Sequence, residues 1–126
     1  MTYQLSGILT NLRSSAILTT SYVASSSFVT GSANQVVAYV NFFRGSLTSG
    51  EVAVDFSDDD ATWHQETSQA VSGGTATNYL MEHTFAGSGA FRLPIPLTDR
   101  FIRIRAKGTG TTTGSWMKID VVDSNT

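Results

Sequence analysis

Apolar and polar residues alternate from Glu51 to Ser57, with Val52, Val54 and Phe56 on one face and Glu51, Asp55 and Ser57 on the other. That period of two is the signature of a half-buried strand. The run enters the turn-forming triplet Asp58-Asp59-Asp60 and re-emerges as Ala-Thr-Trp-His-Gln. It therefore predicts a β-hairpin that continues through Trp63 towards Gln69.

The same texture fills most of the chain. Ser27-Phe28-Val29-Thr30 reads as a short strand and Gly31 to Asn34 as a turn. Gln35 to Phe43 is apolar on both sides, Val36, Ala38, Val40 and Phe42 opposing Val37, Tyr39 and Phe43. It reads as the centre of a sheet that needs cover on two faces. Gly45 to Gly50 makes the next turn, and Gly73-Gly74 breaks the pattern after the hairpin. Asn78 to Phe85 alternates again, setting Tyr79, Met81, His83 and Phe85 against Leu80, Glu82 and Thr84. Ala90 to Leu93 predicts a strand ended by Pro94 and Pro96, because proline cannot donate to a ladder. Phe101 to Lys107 points Ile102, Ile104 and Ala106 inward and Arg103, Arg105 and Lys107 outward. Ser115 to Val122 points Met117, Ile119 and Val121 inward.

Residues 1–20 mix Ser, Thr and single hydrophobes without a lasting period, and read as an irregular arm with at most one short strand. No helical period of useful length occurs. The pattern thus predicts an all-β single domain, a β-sandwich of jelly-roll type with about eight or nine strands over residues 21–126, behind the arm. An immunoglobulin-like or barrel topology gives nearly the same string, so strand order is left open.

A length of 126 residues suits one core. Charged residues make up 14%, against roughly a quarter in an average domain, and Ser and Thr take their place. The net charge of −2 supplies no positive field for phosphate backbones, so no nucleic-acid partner is expected. Cysteine is absent, which removes disulfides and thiolate metal sites. The amino terminus carries no basic residue before its apolar stretch, and no run approaches the length of a membrane span, so neither a leader nor a membrane partner is expected.

Candidate chemistry is sparse. Asp58-Asp59-Asp60 lacks the alternating ligands, central glycine and closing glutamate of a calcium loop and reads as a plain turn. Ser57 to Trp63 resembles the Asp-box hairpin of sialidases, but the chain has no room for propeller blades, so only hairpin mechanics are shared. His64 and His83 are the only histidines, and no serine sits in a nucleophile elbow. No enzyme, cofactor or metal is expected. Trp63, Trp116, Tyr79 and Tyr39 could form a platform for sugar rings, although aromatics more often fill sandwich cores. Trp116 alternates with the inward Met117 and Ile119, so it faces outward, where aromatic anchors serve interfaces. The row Phe101, Arg103, Arg105 and Lys107 is either a solvated face or a basic strip for an acidic partner. Arg13, Trp63, Arg103, Arg105 and Trp116 are the candidate interface residues.

Three segments carry a resemblance: Ala16 to Phe28, Val36 to Trp63 and Phe101 to Val122. In their texture of strand and turn they resemble the small jelly-roll decoration and cement proteins of tailed bacteriophages. The resemblance implies a virion structural protein, made in the host cytoplasm, that sits on the capsid surface. Its implied partners are the major capsid protein and further copies of itself, commonly as a homotrimer, with no catalytic residues to carry over. The two-faced strand Gln35 to Phe43 asks for cover that such a trimer would give. A carbohydrate-binding jelly-roll module of a phage tail or fibre is the alternative.

Overall fold

The computed structural model describes residues 5–30 and 35–124. In chain order the strands are β1 (Leu5–Ala16), β2 (Val23–Ala24), β3 (Phe28–Val29), β4 (Gln35–Phe43), β5 (Leu47–Ser57) and β6 (His64–Gln65). They continue as β7 (Thr67–Ser72), β8 (Thr75–Leu80), β9 (His83–Phe85), β10 (Gly89–Pro96), β11 (Phe101–Gly110) and β12 (Trp116–Ser124). No helix occurs among the described residues.

One sheet runs β1-β12-β4-β10. The other is centred on the β11-β5 pair, with β2 and β3 along one edge and β6 and β9 along the other. Every pairing is antiparallel. Counting β2 with β3 and β6 with β9 as split edge strands, the chain crosses between sheets at nearly every connection, which is jelly-roll connectivity. The β7-β8 hairpin forms a small third sheet that stands off the sandwich.

The alternation sets the core. Val36, Ala38, Val40 and Phe42 of β4, with Met117, Ile119 and Val121 of β12, meet Val52 and Val54 of β5 and Ile102, Ile104 and Ala106 of β11. Each such large side chain contributes about 1.5–3 kcal/mol by leaving water. The inward residues expected from the sequence on β5, β11 and β12 are all found there, apart from Phe56, which is half-buried against the core.

Four expectations change. The turn expected from Gly45 to Gly50 is confined to Gly45 and Ser46, because β5 begins at Leu47 and pairs with β11 from there. Within residues 1–20, Leu5–Ala16 is a long edge strand on β12, and Leu12 and Leu18 enter the core. Its pairing shifts register three times, between Leu5 and Leu9, between Asn11 and Arg13, and between Arg13 and Ala16. Bulges of this kind add residues to one strand and destroy the period of two that would reveal it. Pro94 does not end its strand, which runs on and ends at Pro96. β10 pairs with β4 alone, and an edge strand tolerates a missing N–H. The run Asn78 to Phe85 is split, its first half in the β7-β8 hairpin and its second half, β9, on β5. The turn expected at Gly31 to Asn34 lies outside the described residues.

Candidate functional site

The outer faces of the two sheets differ in character. On the β5-β11 sheet, the register places Asp55 opposite Arg103, Ala53 opposite Arg105 and Glu51 opposite Lys107. Alternation sends all of these side chains away from the core, yet Asp55 is only 2% exposed. The arginines cover it. Arg103 Nε and Arg105 Nε each donate to Asp55 Oδ2 at 2.8 Å, and Arg105 Nη2 donates to Asp55 Oδ1 at 3.1 Å. Buried carboxylates persist in this way, with charged donors on both oxygens.

Further neighbours fix the arginines. Arg103 lies 4.6 Å from the centroid of the Trp63 ring, and Arg105 lies 4.8 Å from that of Tyr22. Arg105 Nη2 also donates to Gln65 Oε1 at 2.7 Å, while Gln65 Nε2 donates to the Met81 carbonyl at 3.0 Å. Lys107 reaches both the Tyr22 ring and Glu82. The Tyr22 hydroxyl is hydrogen-bonded to Glu82, and burial together with that carboxylate raises its pKa well above the ordinary phenol value. Glu51 accepts from the hydroxyls of Ser49 and Thr109. The positive row read from the sequence therefore faces acids supplied by its own fold.

Beside this network a cleft of about 440 Å³ opens between Trp63 and the base of the β7-β8 hairpin, lined by Asp55, Gln65, Thr67, Leu80, Arg103 and Arg105 among others. A second hollow of about 380 Å³ adjoins it across His64, Gln65 and Thr67. His83 Nε2 lies 3.0 Å from Glu66 Oε1.

The hairpin that presents Trp63 is locally self-sufficient. Ser57 Oγ donates to Asp59 Oδ1 and accepts from the Asp59 and Asp60 amides, and Asp59 Oδ1 accepts from the Ala61 and Thr62 amides. Asp60 takes the left-handed conformation, φ 59°, which Asp tolerates better than most residues. These bonds pull Asp59 down to a pKa of about 2, the Thr62 and Ala61 amides contributing most.

The outer face of the β1-β12-β4-β10 sheet carries exposed aromatic and apolar side chains among polar ones such as Asn41, Lys118 and Arg92. The register sets Trp116 beside Phe43, Asp120 beside Tyr39, and Val122 beside both Val37 and Leu9. Phe43 is 47% exposed, Tyr39 41%, Trp116 37% and Leu9 58%. The Trp116 and Phe43 rings stack with centroids 6.1 Å apart and planes 15° apart. Asp120 anchors the middle, accepting from Asn11 Nδ2 at 2.8 Å with Lys118 at 3.4 Å.

Of the five candidate residues, Trp63, Arg103 and Arg105 come together in the cleft, and Trp116 stands on the opposite sheet. Arg13 is a brace for the bulged edge. Its Nε donates to the Met117 carbonyl and its Nη2 to those of Ala16 and Ile17. The four aromatics considered as one platform are dispersed, Trp63 in the cleft, Tyr39 and Trp116 on the other sheet, Tyr79 on the hairpin. Asp55, Gln65 and Leu80 were not singled out by the sequence. Only their placement across the register and at the hairpin base brings them to the site.

The fold defines a jelly-roll β-sandwich. No protein-family model matches the chain, and no curated protein matches its sequence significantly. Among solved structures it is similar in fold to the PBSX exported protein XepA, with a TM-score of 0.63 and 16% identity, over 100% of this chain and 40% of that one. The chain thus spans less than half of XepA's length.

Proposed function

We propose that this chain is a phage-related structural protein of the decoration or cement type, which binds the outer surface of a bacteriophage capsid and reinforces contacts between major capsid protein subunits. It acts without catalysis, as a homotrimer, on virions assembled after its synthesis in the host cytoplasm. The fold shared with a phage-related protein supports the phage setting.

One observation carries the docking role: the outer face of the β1-β12-β4-β10 sheet keeps Leu9, Tyr39, Phe43 and Trp116 in water. Antiparallel sheets that face solvent normally turn polar side chains outward. Exposed large apolar side chains set among polar groups are the composition of a protein interface. Binding that favours the assembled shell over free subunits shifts assembly by the difference in affinity.

Mass spectrometry of purified particles tests the reading, which requires a stoichiometric copy of the chain. Replacing Phe43 and Trp116 together by Glu is expected to leave the circular-dichroism spectrum intact and to weaken particle binding by more than about 100-fold, as loss of two aromatic anchors does. Particles lacking the chain, or undiminished binding by the double variant, would overturn it. Light scattering on the free protein checks the trimer.

A further inference from the structure

Every edge of the sandwich is blunted. β1 carries three register shifts, β10 carries Pro94 and Pro96, and β2, β3, β6 and β9 are two or three residues long. Such devices stop a free edge from pairing with another chain. The β7-β8 hairpin has none of them. Thr67 to Leu80 contains no charge and no proline, its six pairs run without a shift, and both strands are exposed throughout. Its base is nevertheless held in place: Glu66 N–H donates to the Val54 carbonyl, Met81 N–H donates to the Glu66 carbonyl, and His83 meets the Glu66 carboxylate. The Met81 bond also sets the phase of the ladder, so Thr67, Gln69 and Val71 on β7 and Ala76, Asn78 and Leu80 on β8 turn N–H and C=O outward. Among the described residues those backbone groups meet no protein partner.

We propose that this hairpin joins copies of the chain, the β7 edge of one lying antiparallel against the β8 edge of the next. The inference rests on the self-association proposed above and gives it a surface. With the hairpin tips level the two edges are in phase, Val71 of one copy opposing Ala76 of the partner subunit, and both rows present their donors and acceptors. One side-chain pair selects a second copy as the occupant. Within the hairpin Gln69 Nε2 donates to Asn78 Oδ1 at 3.1 Å, which leaves Gln69 Oε1 as an acceptor on one edge and Asn78 Nδ2 as a donor on the other. The same hairpin from another chain continues that ladder, as Gln and Asn do in stacked strands. The absence of charge removes repulsion between identical strands. Repeated around a threefold axis, joints of this kind use both edges of every hairpin, whereas a twofold joint leaves one edge per copy open. The hairpin leaves from the β5-β11 sheet, opposite the face proposed to dock on the capsid, so the two surfaces work at once and fail separately.

Sedimentation velocity on the free protein, over a range of concentrations, reads the joint. Glu66 and Met81 already form a bonded pair, so Asn-Gly in place of residues 67–80 closes the chain with a two-residue turn. That variant is expected to keep the thermal midpoint of the sandwich and to sediment as a monomer. Val71→Lys, at an exposed residue outside the core, puts on the seam the charge that natural edges use against pairing and weakens association at least about tenfold. Adding Ala76→Glu to the same chain sets an opposite charge across the seam and restores association, which damage to the fold would not allow. Association also slows exchange of the Gln69, Val71, Ala76 and Asn78 amides at least about tenfold, while they remain faster than those of the core strands. Undiminished association without the hairpin, or a double variant no better than Val71→Lys, overturns the proposal and leaves self-association to another surface. A wild-type protein that is monomeric at every concentration overturns the proposal and the homotrimer together.

Discussion

Asp55 organises more of the surface than any other side chain. Its two oxygens accept three hydrogen bonds from two arginines, and those arginines in turn position Trp63, Tyr22 and Gln65. Removing the carboxylate leaves two guanidiniums facing one another over a buried floor. Asp55→Ala should cost about 3 kcal/mol in urea denaturation, the lower end for a broken buried pair because both arginines keep some water. A loss under about 0.5 kcal/mol would mean that the pairs behave as surface ion pairs. Asp59 makes a second, pH-dependent prediction. Its pKa falls from 3.8 to about 2 on folding, so the folded state holds its proton less tightly than the unfolded one. That contribution is complete above about pH 4 and disappears as the pH drops through about 2. Stability should therefore decline over this window, and by less in Asp59→Asn, as denaturation midpoints across the range would show. The Asp59 turn was legible in sequence, since its partners lie within three residues. The Asp55 cluster was not, because its arginines are 48 and 50 positions away.

Among the elements, the β7-β8 hairpin is the least supported. Both strands are exposed along their whole length, and Val71, Tyr79 and Leu80 remain in solvent. Gly73 and Gly74 close it as a two-residue turn with φ values of 56° and 79°, the geometry that matches strand twist and that glycine adopts at least cost. An isolated two-stranded ribbon is marginally stable. Hydrogen exchange should find the β7 and β8 amides exchanging far faster than those of β5 and β11, which have neighbours on both sides. Equal protection would show that the hairpin is buttressed by something beyond its own pairing. Gly73-Gly74 was readable as a break, but the break proved to be a hairpin tip. The same limit applies to β1, whose bulged register hides a strand that only its pairing with β12 reveals.

At the scale of the molecule, one layer of interdigitated apolar side chains joins the sheets. Ile104 is at its centre, 2% exposed and opposite Val54 in register. Ile104→Ala should cost about 2–5 kcal/mol, as lost transfer energy and a residual cavity together require, measured as a shift of the denaturation midpoint at constant slope. The docking face makes the contrasting case, since Phe43 and Trp116 are half in water and their replacement should spare the fold.

The all-β class, the span of β4 and the inward faces of β5, β11 and β12 followed from sequence alone, because alternation is a local property fixed by the geometry of each strand. The bulged β1, Pro94 inside β10, the Asp55–Arg103–Arg105 cluster and the separation of the exposed aromatics of one sheet from the charged cleft of the other were decided by the tertiary structure. Each depends on which distant segment pairs with which, and in what register, and no local period carries that information.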